Sequence, residues 1–244
     1  MTDMTLPDVP GPISPDDHMM TAGGEAWYGL VGAEAVERIK AIVALGYPGE
    51  RRRILDFGCG HGRVMRHLRA AYPEAELFAA DVDHGAADFC ASAFGATAVR
   101  TTDDFDRLHL PGNLDLVWVG SVFTHIDAAR ARVLLNALIE RLDQGGMVIA
   151  TFHGRRAVQM HARNPYIDAE RWSRIDAECR ATGFGHAPYG DPVNEAAGWG
   201  VSLSTPEGVM GLPRPSPDIR LMAYTEAGWA NHQDIAAWMR WPAG

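Results

Sequence analysis

Apolar positions along this chain fall into two alternating rhythms. Between residues 33 and 45, Ala35, Val36, Ile39, Ile42 and Val43 recur at three- and four-residue steps, which predicts a helix with one buried face, ended by Gly46, Tyr47, Pro48 and Gly49. Short apolar runs then predict strands at 53–57, 76–81, 97–100, 114–120 and 147–153, with helices at 62–71, 84–94 and 128–142 between them. Leu114, Leu116, Val117, Trp118 and Val119 leave almost no polar face, as a strand covered on both sides in a parallel sheet requires. Beyond Gly154 the rhythm loosens. A helix is predicted over 169–181, residues 183–217 are dense in Gly and Pro, and strands close the chain at 219–226 and 233–240. Only residues 228–232 separate that last pair, too few for a crossover helix, so the two should run antiparallel. The expected fold is a doubly wound α/β sheet of seven strands with an antiparallel last strand, and a small cap inserted at about 166–217.

Composition narrows this picture. With 244 residues, 47% of them hydrophobic, the chain is long enough for one domain with a substantial core, expected over 25–244. Residues 1–24 begin with a proline- and acid-rich stretch too poor in apolar surface to pack alone, and are read as a flexible arm. The 22 Lys and Arg stand against 31 Asp and Glu, a formal charge of −9, which argues against a nucleic-acid partner. Cys59, Cys90 and Cys179 form neither a CxxC pair nor an even set, so a reducing, cytoplasmic setting is expected. The arm lacks the basic and apolar regions of a secretory signal, and nowhere do eighteen apolar residues follow one another, so no membrane association is expected.

The strongest local signal is Ile54-Leu55-Asp56-Phe57-Gly58-Cys59-Gly60-His61-Gly62-Arg63, a buried strand entering a turn with three alternate glycines and then a helix. Glycines there permit positive φ and close approach of a ligand, while the helix start offers free amides to an anionic group. A dinucleotide fold places its third glycine one position later, in GxGxxG. The acid followed by GxGxG resembles motif one of the class I S-adenosyl-L-methionine (SAM) dependent methyltransferases, which have a Rossmann-like sheet. Leu77-Phe78-Ala79-Ala80-Asp81 supplies an acid at the end of the second strand, nineteen residues after Gly62. Asp115 to His125 resembles motif four, and Leu142-Asp143-Gln144-Gly145-Gly146 resembles the turn before the fifth strand, with Gln144 where proline is usual. Gly120 to His125, Thr151 to Gly154 and Gly228 to Asp234 also resemble a bacterial subgroup whose acceptors sequence does not define. The resemblance implies SAM as cofactor, S-adenosyl-L-homocysteine (SAH) as product, Asp81 on the ribose, Asp56 near the methionine end, and Asp103 or Asp104 with Phe105 at the adenine. Tyr28, Gly58, Cys59, Gly60, Gly62, Arg63, Val82, Gly120 and Ser121 complete the expected cofactor site.

Ligands of such sheets bind beyond the carboxyl ends of the strands. His125 follows the fourth strand, His153 ends the fifth and His232 lies in the last turn, so three distant segments should converge on one edge. Asp127 and Asp234 are sequence neighbours able to orient these imidazoles, and Tyr189, Trp199, Trp229 and His232 are candidate acceptor contacts. Methyl transfer from a sulfonium is an in-line displacement governed by positioning, to which a histidine base adds about 10²- to 10⁴-fold. His153 is the first candidate for that base and His125 the second. The competing reading makes each histidine structural. The histidine set lacks short ligand spacing apart from His125-Ile126-Asp127, so no metal is expected. Cys59 is read as packing and Arg51 to Arg53 as a solvated face. Met19 and Met20 with Trp27 and Tyr28 are read equally as a lid or as a hydrophobic staple on the first helix. The resulting expectation is a small-molecule methyltransferase favouring an oxygen nucleophile, with N- or C-methylation open; a nicotinamide oxidoreductase and a non-catalytic SAM-binding protein are the rivals. Oligomeric state is left open.

Overall fold

The computed structural model describes residues 10–22 and 24–242. Helix α1 (Gly24–Val43) leads into a sheet built from β1 (Arg53–Phe57), β2 (Glu76–Asp81), β3 (Thr97–Arg100), β4 (Leu114–Val119) and β5 (Leu142–Phe152), with α2 (Met65–Ala71), α3 (His84–Phe94) and α4 (Ala128–Glu140) between them. Strands β8 (Ile219–Trp229) and β9 (Gln233–Arg240) complete a seven-stranded sheet of order β3-β2-β1-β4-β5-β9-β8. β9 runs antiparallel to both of its neighbours, β5 and β8, while the pairs among β1 to β5 are parallel.

Alternation along the strands divides the core into two layers. Ile54, Leu116, Trp118 and Ile149 meet Val36, Ile39, Met65, Leu68 and Cys90 of α1, α2 and α3. Leu55, Val117, Val119 and Val148 point the other way, onto Leu134, Leu135 and Leu138 of α4. Helix ends follow local chemistry: Asp83 caps α3 by accepting from the amides of Gly85 and Ala86, and Asp127 caps α4 by accepting from Ala129 and Arg130.

Three element starts differ from the sequence expectation, and β8 runs three residues further than expected, to Trp229. Helix α1 starts at Gly24, not near residue 33, because Gly29 and Gly32 lie on its buried face. A side chain at Gly32 would place its Cβ 2.2 Å from the Arg63 carbonyl, so that glycine marks helix contact rather than a helix break. Helix α2 starts at Met65, three residues late, because the glycine turn occupies the preceding positions. β5 begins at Leu142, five residues early, since a register shift against β4 accommodates the Gly145-Gly146 turn within the strand.

The Gly- and Pro-dense stretch is structured. Between β5 and β8 the chain forms α5 (Arg155–His161), α6 (Ala169–Thr182), β6 (Phe184–Pro188), α7 (Pro192–Ala196), β7 (Gly200–Ser204) and α8 (Pro206–Met210). β6 and β7 pair antiparallel as a separate two-stranded sheet over a small core of Ile167, Ile175, Cys179, Ala187, Val201 and Leu203. Its glycines mark tight crossings: a Cβ at Gly185 would fall 2.0 Å from the Ile175 carbonyl, and one at Gly200 2.0 Å from that of Ala187. β7 is tied to the main domain through backbone, with Gly200 N–H donating to His125 O (2.8 Å), Ser202 N–H to Thr124 O (2.9 Å) and Ser204 N–H to His153 O (2.8 Å).

Gly200→Ala forces β6 and β7 apart. It is expected to lower stability in chemical denaturation by about 1–3 kcal/mol, the usual range for overpacking. Hydrogen exchange should accelerate over 184–204 while β1 and β4 remain protected.

Candidate cofactor and acceptor site

A cavity of about 440 Å3 opens over the carboxyl ends of β1, β2 and β4. The turn leaving β1 forms its floor. Gly58, Gly60 and Gly62 all have left-handed φ, of 77, 48 and 85°. A Cβ at Gly58 would fall 2.4 Å from a Val122 methyl, and one at Gly62 2.4 Å from the Phe94 ring, so these two glycines answer to packing. Above Gly60 no atom lies within 4 Å of such a Cβ, and that open space belongs to the cavity.

Two acids meet here. Asp81 accepts from the Gly60 amide (2.8 Å) and the Asp83 amide (2.9 Å), which fastens the turn to the end of β2. Burial raises its pKa, and these amides oppose that rise. Asp56, at 2% exposure, lines the cavity with Oδ2 lacking any hydrogen-bond partner. Burial, reinforced by the neighbouring Asp81, pushes its carboxyl up to about 8, with Arg63 acting in the opposite direction. Arg63 also lines the cavity and lies over the Trp229 ring at 5.4 Å. Trp229 is fixed by donating Nε1–H to the Val31 carbonyl (2.9 Å) and by edge contact with Trp118.

At the far end, past β3, Thr101 lines the cavity beside Phe105, and its buried Oγ1 also lacks a partner. Asp103 and Asp104, expected here, are engaged elsewhere: Asp103 accepts from Trp199 Nε1 (2.9 Å), and Asp104 caps the short turn at Phe105–Arg107. Asp103 thereby fixes Trp199, which meets Phe105 edge-on with the Arg130 guanidinium over both rings. Of the remaining expected cofactor residues, Cys59, Val82, Gly120 and Ser121 line the cavity. Gly62 faces Phe94 instead, and Tyr28 stands behind the wall, donating its hydroxyl to Asp17 (2.6 Å). Among the residues that the sequence reading missed are Asp17, His18, His61, Asp83, Thr101 and Trp118; Met19, named there as half of a lid-or-staple choice, lies on the cavity wall. Thr101, first after β3, was legible from its strand-end position.

The three histidines do come together. The ring centroids of His125 and His153 are 6.5 Å apart, and those of His153 and His232 5.2 Å. Only His125 reaches the cavity. His125 Nδ1 faces two oxygens, the Gly200 carbonyl (3.1 Å) and the Tyr189 hydroxyl (2.6 Å). A proton on Nδ1 satisfies the carbonyl and leaves Nε2 as a lone pair. His153 donates Nδ1–H to the Ser202 carbonyl (3.1 Å) and stacks on Tyr166, whose hydroxyl bonds His232 Nε2 (2.7 Å). Burial, with His232 and His125 adding to it, drives His153 down to about 3. Burial also lowers His125 and His232. The acids expected to orient these rings have other partners: Asp127 caps α4, and Asp234 accepts from the Tyr224 hydroxyl (2.7 Å) and the Ala227 amide (2.7 Å). Tyr189 reaches the site through His125, whereas Trp199 and Trp229 line it directly.

Ser121 adds backbone strain, with φ of 62° in a non-glycine residue. It is held by its amide donating to Thr151 Oγ1 (2.8 Å) and by Gln233 Nε2 donating to its hydroxyl (2.8 Å).

Residues 54–146 match the methyltransferase domain family. The malonyl-[acyl-carrier protein] O-methyltransferase of Anoxybacillus flavithermus is 27% identical over 114 residues, which is 46% of this chain and 44% of that protein. The match therefore spans less than half the length of that relative. A SAM-dependent methyltransferase from Clostridium acetobutylicum superposes with a TM-score of 0.57 at 11% identity, covering 93% of this chain and 96% of its own. Human N-acetylserotonin methyltransferase, solved in complex with SAM, gives 0.53 at 14% identity over 89% of this chain and 55% of its own. The fold is the one these solved methyltransferases share, and residues 54–146, which match the methyltransferase domain family, contain the glycine turn, Asp56 and Asp81.

The lining fits SAM at three points. Asp56 Oδ2 awaits a donor such as an ammonium, the space above Gly60 admits the amino-acid portion, and Thr101 Oγ1 awaits a polar partner beside the aromatic Phe105. Asp56 also yields a pH prediction. Between 3.8, the ordinary value, and about 8, the folded protein keeps a proton that the unfolded chain releases, so its stability falls as pH rises through that window. Asp56→Asn removes this dependence. The melting temperature of the wild type relative to the variant should therefore decline from pH 5 to 8 and level off above about pH 9.

Proposed function

We propose that this protein is a SAM-dependent methyltransferase acting on an oxygen nucleophile of a small-molecule acceptor, with His125 as the proton acceptor. The observation that carries the reading is the Asp56–Gly60–Asp81 arrangement, in which a buried unpartnered carboxyl, an open glycine and a ribose-height acid share one cavity wall. When bound, SAM supplies an electrophilic sulfonium methyl. Asp56 holds the ammonium end, Arg63 the carboxylate, Asp81 the ribose, and Thr101 with Phe105 the base.

On the acceptor side, His125, Ser121, Trp199 and Trp229 face the same space. His125 is preferred over His153 for two reasons: it lines the cavity, and an Nδ1 proton donated to the Gly200 carbonyl leaves its Nε2 as a lone pair. Burial lowers both rings, His153 to about 3, so the choice between them rests on position at the cavity and not on basicity. His153 instead buttresses His125 and carries the β7 contact through Ser202. The preference for oxygen rests on the availability of an imidazole that needs to remove one proton as the new bond forms.

Two measurements test this reading. SAH at about one hundred times its dissociation constant should stabilise the protein by about 2.7 kcal/mol, while NAD should not. Asp81→Ala should abolish the SAH effect; stabilisation by NAD alone would instead place the chain among nicotinamide enzymes. With an acceptor found by screening for SAH release, His125→Gln should lower turnover by about 10²- to 10⁴-fold. His153→Gln should lower it less than about tenfold, the opposite order returning the base role to His153.

A further inference from the structure

Arg66, on α2, is 1% exposed, and its hydrogen bonds join two separate segments. Nε donates to the Gly62 carbonyl (2.9 Å), and Nη2 to the Tyr28 hydroxyl (3.1 Å) and the His61 carbonyl (3.5 Å). Nη1 faces three consecutive carbonyls of the N-terminal segment, those of Pro10 (3.3 Å), Gly11 (3.4 Å) and Pro12 (3.0 Å). One side of the planar fork thus holds the glycine turn and the other holds the segment ahead of α1.

Phe94 is shared in the same way. A Cβ at Gly11 would fall 3.0 Å from one edge of its ring and a Cβ at Gly62 2.4 Å from the other, and both glycines have left-handed φ, of 77 and 85°. The Arg66 guanidinium lies over this ring at 5.0 Å and over that of Tyr28 at 5.1 Å. Further along, Asp17 accepts from Tyr28 and from the Met19 amide (2.9 Å). This pins the segment where Asp17, His18 and Met19 enter the cavity wall.

We propose that residues 10–19 form a strap that completes the cofactor site, and that Arg66 is a positioning residue coupling the docking of this strap to the conformation of the glycine turn. The proposal rests on the cavity being the SAM site for its ligand arm alone. Coupling between two sites is reciprocal. A turn ordered by SAM or SAH holds the strap more firmly, and a docked strap raises affinity for the cofactor.

Hydrogen exchange and SAH calorimetry on the full chain test this, using wild type, Gly11→Ala and Arg66→Lys. Gly11→Ala crowds Phe94 at a left-handed position, on a segment outside the sheet core. Arg66→Lys keeps the charge but loses the fork. Without ligand, both variants should exchange faster at residues 11–20 and at 58–63, while β4 and β5 are unchanged. In the wild type, SAH should slow exchange of the strap amides. Both variants should bind SAH about 5- to 150-fold more weakly, the usual span of such coupling. The proposal is overturned if releasing the strap leaves exchange at 58–63 unchanged. It is equally overturned if SAH binds the wild type without protecting the strap, or if Gly11→Ala retains affinity within about twofold. A wild type that binds no SAH sinks the SAM reading and the strap's cofactor role with it, whereas the ligand-free exchange separately reports whether Arg66 links strap and turn.

Discussion

Two carboxyls placed side by side at the carboxyl edge of a parallel sheet set the terms for everything around them. Asp81 remains tolerable because the Gly60 and Asp83 amides point at it. Asp56 has no such relief on Oδ2, and burial, reinforced by Asp81, keeps it protonated near neutral pH. An uncompensated ionised carboxylate in such a place is strongly unfavourable. The arrangement is therefore least stable where it is emptiest of donors, and it favours a ligand that carries a cation to Asp56. Gly60 follows from the same constraint, since its amide meets Asp81 and the space above it is left open.

Much of this was legible in the sequence because it is local. The strand carrying Asp56, the alternate glycines and the acid at Asp81 lie within one stretch of sequence, and the apolar run at Leu114 to Val119, broken only by Asp115, announced a buried central strand. Where reading failed, the cause was tertiary. Gly29 and Gly32 look like helix breakers until the Arg63 carbonyl is seen against α1. Asp103 is expected beside the adenine, and only the fold shows that its Oδ1 also holds Trp199 from far along the chain. The elements within 183–217 went unread because glycine density marks both flexible chain and close backbone crossings, and only the partner backbone distinguishes them.

The histidines illustrate the same division. Their convergence followed from topology, since residues after successive strands must share an edge. Their ranking depended on depth, which sequence does not encode: His153 sits among His125, His232 and Tyr166, whereas His125 stands at the cavity wall with its Nδ1 fixed by Gly200. Likewise the proline-rich beginning of the chain is too polar to pack alone, yet from Pro10 onward it borrows a surface from Arg66 and Phe94.

β7 fastens to the Thr124–Ile126 segment and to His153 by three main-chain amides and by two serine hydroxyls, Ser202 Oγ donating to the Ile126 carbonyl and Ser204 Oγ to that of His153. The amide bonds are indifferent to which side chains the strand carries, whereas the hydroxyl bonds and the tight crossings hold Gly185, Gly200, Ser202 and Ser204 to their present size. Other residues of the inserted region are consequently at liberty to diverge in size and polarity while the region stays anchored in place. A lineage built on this scaffold would change what it modifies without relearning how to fold.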